Sequence, residues 1–116
     1  MSDLIIDVKD GPSAAVKIIS LVGEMDEGNI NLLQNKLEPF LNDSNIETIL
    51  FDLSKMEFIN SKGIGYFVSI HTHLAKDNRI MILTGASEPV MDVISLVGLT
   101  MIIKYFDTLE EALNNL

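Results

Sequence analysis

The spacing of apolar positions changes period several times along the chain, and each change marks a predicted element. LIIDV (Leu4 to Val8) and AAVKIISLVG (Ala14 to Gly23) read as two strands parted by the turn residues of KDGPS, Lys9 to Ser13. So short a connection favours an antiparallel pair. GNINLLQNKLEPFLND then sets Ile30, Leu33, Leu37, Phe40 and Leu41 at helical spacing, with Pro39 late enough to kink or end the helix. ETILFDLS predicts a mostly buried strand over Thr48 to Leu53. Helical spacing returns with Ile64, Phe67, Val68, His71, Leu74 and Ala75 on one stripe. Arg79 to Leu83 is a further apolar strand, closed by Thr84 and Gly85.

Pro89 falls in the first turn of a third helix, a position where its missing N–H costs nothing. Val90, Val93, Ile94 and Val97 form its stripe, and Gly98 suits its stop. Met101 to Phe106 reads as a last strand. Asp107 or Thr108 would cap a short helix carrying Leu109, Ala112, Leu113 and Leu116. The order ββαβαβαβα argues an α/β fold: a mostly parallel sheet with an antiparallel N-terminal hairpin and covering helices. With no repeat, linker or low-complexity tract, residues 1–116 are expected to form one domain.

Composition narrows the function classes. Seventeen acidic residues against eight Lys and Arg give a net charge of −9, dispersed along the chain. Nucleic acid and anionic membrane both require a basic footprint, so neither is an expected partner. A protein partner is the better expectation. No apolar run approaches the roughly 20 residues that span a bilayer. The acidic start MSDLIIDVKD lacks the form of a secretory signal, and a cytoplasmic location is expected.

Catalytic and cofactor chemistry find little support. No cysteine is present. His71 and His73, the two histidines, are two apart on a helix and point to nearly opposite sides, so they cannot share a metal. His71 is expected in the core or at its boundary and His73 in solvent. Gly63 and Gly65 lie too close to the predicted helix to cradle a phosphate, and no GxSxG elbow surrounds any serine. The expectation is a non-enzymatic domain without cofactor or metal.

The stretch FINSKGIGYF, Phe58 to Phe67, is where polar chemistry concentrates. It sits at a strand-to-helix turn, where either Ser61 or Asn60 could cap the helix. Spacing alone favours capping for Ser61 over presentation of its hydroxyl to another molecule.

VGEMD at Val22 to Asp26, ILFDLSKMEFINSKGIGYFV at Ile49 to Val68, and VISLVGLT at the end of the third helix resemble the STAS domain. More narrowly, they resemble its anti-sigma factor antagonist branch, over essentially Leu4 to Leu116. That resemblance implies a turn in which the serine at Ser61 is phosphorylated by a partner kinase that is also the anti-sigma factor. Gly63 and Gly65 stand at the two family glycines, while Asn60 replaces the usual Asp and Lys62 a small residue. The implied activity is partner switching under control of Ser61, reset by a metal-dependent serine phosphatase and governing sigma-factor-dependent transcription. The alternative is a non-phosphorylated scaffold module. The contact surface implied by this placement comprises Met25, Asp26, Met56, Ile59, Asn60, Ser61, Lys62, Gly63, Ile64 and Tyr66. Two further readings stay open here: Met25 and Met56 as ordinary edge-of-core packing, and Asp26 as a cap of the first helix.

Overall fold

The computed structural model describes residues 3–116; Met1 and Ser2 of the acidic start, and of the expected domain 1–116, lie outside the described residues. The strands are β1 (Leu4–Asp10), β2 (Val16–Met25), β3 (Thr48–Ile59), β4 (Ile80–Thr84) and β5 (Lys104–Phe106). The helices are α1 (Ile30–Leu41), α2 (Ser61–Ala75), α3 (Glu88–Leu96) and α4 (Leu109–Leu113), with a 3₁₀ turn at Leu99–Met101. The strands form one sheet in chain order β1-β2-β3-β4-β5. β1 runs antiparallel to β2, and the remaining pairs are parallel.

Successive side chains of a strand point to opposite faces, so the apolar runs of β2, β3 and β4 serve two cores at once. Ile19, Leu21, Ile49, Phe51, Leu53, Met81 and Leu83 pack with Leu33 and Leu37 of α1, Phe67 and Ile70 of α2, and Val90 and Ile94 of α3. The intervening Ile18, Leu50 and Ile82 pack with Ala112 of α4 on the other face. Phe51 and Phe67 meet with ring centroids 5.3 Å apart. Along β1, half-buried Leu4, Ile6 and Val8 alternate with exposed Ile5, Asp7 and Lys9. Charges on the exposed row blunt this edge against further strand pairing.

The largest departure from the sequence-based expectation is β3, which continues six residues beyond Leu53 to Ile59. Its apolar residues Leu53, Met56 and Ile59 recur every third position, a spacing that a regular strand cannot keep on one face. Two register shifts against β2 resolve this. Ser20 pairs with Asp52 but Val22 with Lys55, and Gly23 pairs with Met56 but Glu24 with Phe58. Each shift inserts one extra β3 residue, a bulge that resets the alternation. All three side chains therefore reach the same core.

Smaller corrections have equally local causes. Pro39 neither stops nor shortens α1, which runs two residues past it. The buried stripe of α2 is Gly63, Ile64, Phe67, Ile70 and Leu74; the expected Val68 packs half-buried at its edge, His71 is half-buried at the boundary, Ala75 is exposed, and Ile70 was not expected. Val97 is exposed at the end of α3, where Gly98 turns the chain with φ 73°. Met101 belongs to the 3₁₀ turn and not to the last strand. Thr108 caps α4 as expected, its Oγ1 accepting the Glu111 N–H at 3.1 Å.

Arg79 carries a role that the apolar pattern hides. Its buried guanidinium donates to the carbonyls of Phe40, Leu41, Asp43 and Ile46 and to Asp77. A cation thereby satisfies the open carbonyl end of α1 and fixes the loop into β3. His73 Nε2 lies 3.1 Å from the Leu41 carbonyl, adding a contact between α2 and the end of α1.

Candidate functional site

The candidate site lies where β2 and β3 end and α2 begins. The backbone N–H of Asn60 donates to the Met25 carbonyl at 3.2 Å, so the last residues of the two strands set the entry into the helix. Asn60 then caps α2. Its Oδ1 accepts the Gly63 N–H at 2.9 Å, and its carbonyl accepts the Ile64 N–H at 3.0 Å. Such a cap stabilises by about 1 kcal/mol. Ser61 is thus the first helical residue and not the cap, contrary to the expectation from spacing. Its side chain is exposed, and its hydroxyl has no hydrogen-bond partner among the described residues.

The glycines have different causes. A Cβ on Gly63 would stand 2.7 Å from Ile59 Cγ1 and 3.0 Å from Met25 Cε, so the helix can enter over the strand ends only without a side chain here. A Cβ on Gly65 would meet nothing within 4 Å. Gly65 is exposed and lies one turn beyond Ser61 on the same side of α2.

Several residues of the expected contact surface are floor and not surface. Met25 and Met56 are fully buried, as are Ile59 and, nearly so, Ile64; Gly63 is covered as well. The two bulges turn Met56 and Ile59 inward, and β2 alternation turns Met25 inward beside Leu21. An adaptable exposed methionine at either position is therefore replaced by edge-of-core packing. Ser61 and Lys62 are exposed, while Asp26, Asn60 and Tyr66 are half-buried.

The preceding loop is organised by a residue that the sequence reading passed over. Asn29 is buried; its Nδ2 donates to the Glu24 carbonyl at 2.8 Å, and its Oδ1 accepts the Asp26 N–H at 3.0 Å. Asp26 Oδ1 accepts the Gly28 N–H at 2.9 Å, closing a local turn, and its carbonyl accepts the Ile30 N–H at 3.1 Å at the start of α1. An Asn immediately before an apolar helical run is a helix-start signal that could have flagged Asn29. The loop carries Glu27, whose Oε2 is 3.7 Å from Lys62 Nζ. That exposed pair offsets the unfavourable placement of a cation in a first helical turn. Phe58, exposed on the opposite side of β3 from the core, is a further large apolar side chain at this end that was not expected.

Tyr66, one turn into α2, has its phenol pushed up to about 12 by burial first and by the nearby Glu38 carboxylate second. It stays neutral at physiological pH and adds no charge to the site. Ser87 donates through Oγ to the Met56 carbonyl and pins the start of α3 to the bulged part of β3. The frame around Ser61 is held from both sides.

The STAS domain family model matches residues 5–112. The chain belongs to the STAS domain family. Domains of its anti-sigma factor antagonist kind are non-enzymatic binding regulators. An anti-sigma factor antagonist from Mycobacterium paratuberculosis is similar at 24% identity and TM-score 0.87, over 97% of this chain and 93% of that one. A Thermotoga maritima protein provisionally assigned as an anti-sigma factor antagonist shares 27% identity at TM-score 0.82, over 95% and 92% of the two chains. The phosphorylated form of the Bacillus cell fate determinant SpoIIAA matches at 21% identity and TM-score 0.75, over 96% and 98%. Among the described residues, no helix is long and apolar enough to cross a membrane.

Proposed function

We propose that this STAS domain is an anti-sigma factor antagonist that works by partner switching in the bacterial cytoplasm. Unphosphorylated, it binds an anti-sigma factor with serine-kinase activity and so frees a sigma factor for transcription. Phosphorylation of Ser61 releases that partner, and a metal-dependent serine phosphatase restores binding. The observation that carries this reading is the exposed Ser61 hydroxyl, which Asn60 relieves of capping and no described residue engages.

The energetics favour release with the fold kept. A phosphate adds about −1.5 to −2 charges. At the start of α2 it meets the N–H groups of Ser61 and Lys62, which have no backbone acceptor among the described residues, and the positive end of the helix dipole. That environment welcomes an anion by about 0.3–1 kcal/mol. Lys62, one residue on, adds a nearby cation. In a docked complex the same charge would be buried without a partner, at a cost on the order of 2–5 kcal/mol. The interface cost exceeds the local gain, so docking is lost and folding is not.

Incubation with the cognate kinase and ATP, followed by peptide mass spectrometry, tests the modification. A single phosphate on the peptide containing Ser61, absent from Ser61→Ala, is the expected result. An unmodified Ser61 would overturn the switch. It would favour the second reading, a non-phosphorylated scaffold, which Asn60 and Lys62 support because both depart from the family turn.

A further inference from the structure

The described residues leave nine large apolar side chains exposed, and four of them, Leu96, Val97, Met101 and Ile102, fall within seven residues of chain. Leu96 and Met101 are each 88% exposed. Ile102 joins this patch to a fifth, Ile80, because both line a cleft of about 240 Å³. The other lining residues are His71, Arg79, Met81 and Lys104. The cleft opens at the amino ends of β4 and β5, whereas Ser61 follows the carboxyl end of β3. It therefore lies at the other end of the sheet from the proposed switch.

Its charge is inverted relative to the chain. With 17 acidic residues against eight Lys and Arg, a random surface depression should be lined by carboxylates. None lines this one, while two of the eight cations and one of the two histidines do. The buried Arg79 guanidinium is already committed to four carbonyls and to the Asp77 carboxylate, so Arg79 contributes a fixed piece of wall and not a free charge. Lys104 is exposed at the start of the edge strand and has no ion-pair partner among the described residues. Ile80, Met81 and Ile102 supply apolar walls. Apolar lining with a few convergent polar groups is the composition of a small-molecule site.

We propose that this cleft binds a free anionic amphiphile, a carboxylate on a short apolar chain. The carboxylate would pair with Lys104, and the chain would cover Ile80 and Ile102. At roughly the 30 Å³ that a water molecule occupies in the liquid, the cleft holds on the order of eight non-hydrogen atoms. The exposed Leu96 to Ile102 patch gives a longer chain somewhere to continue. In a chain of net charge −9, general attraction cannot bring an anion here, so Lys104 must.

Octanoate, titrated below its micelle concentration into the ¹⁵N-labelled full chain, tests this, with 1-octanol as the uncharged arm and phosphatidylglycerol vesicles as the membrane arm. Saturable amide shifts at Ile80, Ile102 and Lys104 are expected for octanoate, with 1-octanol weaker by about two- to fivefold. Lys104→Glu should weaken octanoate about tenfold and leave 1-octanol unchanged, whereas Ile102→Ser should weaken both. Both positions are exposed, so neither variant threatens the fold. Equal response to octanoate and 1-octanol, shifts confined elsewhere, indifference to Lys104→Glu, or binding to vesicles alone would each overturn the proposal.

Discussion

Gly63 and Gly65 stand two residues apart in one helix, yet substitution should move stability in opposite directions. Gly63→Ala drives a methyl to within 2.7 Å of Ile59 Cγ1 and 3.0 Å of Met25 Cε, both in a packed core. It should cost about 1–3 kcal/mol. Gly65→Ala finds open space and removes a flexible residue from a helix interior, so it should gain up to about 1 kcal/mol. Urea denaturation of the two variants beside the parent checks both signs. Tyr66 gives a separate test. Burial and the Glu38 carboxylate push its phenol up to about 12 from the ordinary 10.0, so the unfolded chain loses the phenolic proton first. The stabilisation is complete below pH 10 and is lost as pH rises toward about 12. Ultraviolet difference titration of Tyr105→Phe, which leaves Tyr66 as the single tyrosine, should show ionisation well above the free value. A transition at the free value would contradict the burial and the influence of the Glu38 charge.

At the level of elements, regular periodicity was legible and its interruptions were not. The strands of single period, the four helices and the caps by Gly98 and Thr108 could be read from spacing and turn chemistry. β3 could not be read to its end, because Leu53, Met56 and Ile59 follow a period of three that only pairing with β2 converts into one face. The same cause misled the site reading. Without the bulges, Met56 appears to belong to an exposed loop, and its burial is a property of strand register. The consequence is measurable. Met56→Ala should cost about 2–4 kcal/mol as a buried deletion, while Phe58→Ala, two residues on and exposed, should stay within about 0.5 kcal/mol. Comparable losses at both positions, read by thermal denaturation, would contradict the bulged register. Asn29 and Arg79 were missed for a related reason: their worth lies in backbone groups brought to them by folding, which no local pattern displays.

For the molecule as a whole, the sheet advances in one direction from β1 to β5, with α1, α2 and α3 on one face and α4 on the other. The ends of β2 and β3 and the start of α2 are therefore bound into one rigid corner, by Asn60 to Met25 and by Ser87 to Met56. A rigid corner suits a switch that acts on docking, because a charge added there cannot be absorbed by local rearrangement. The resemblance legible in FDLSKMEFINSKGIG led to the family, and the family model spans residues 5–112. What it could not supply was the exposure of the Ser61 oxygen, which depends on Asn60 taking the cap.

The most direct measurement is the affinity of the partner anti-sigma factor for the unmodified chain and for the chain stoichiometrically phosphorylated on Ser61, by calorimetry on identical preparations. The account predicts a loss of roughly 30- to 3,000-fold on phosphorylation, with the thermal midpoint nearly unchanged. Equal affinity for the two forms, or a loss that tracks unfolding of the phosphorylated chain, would contradict it.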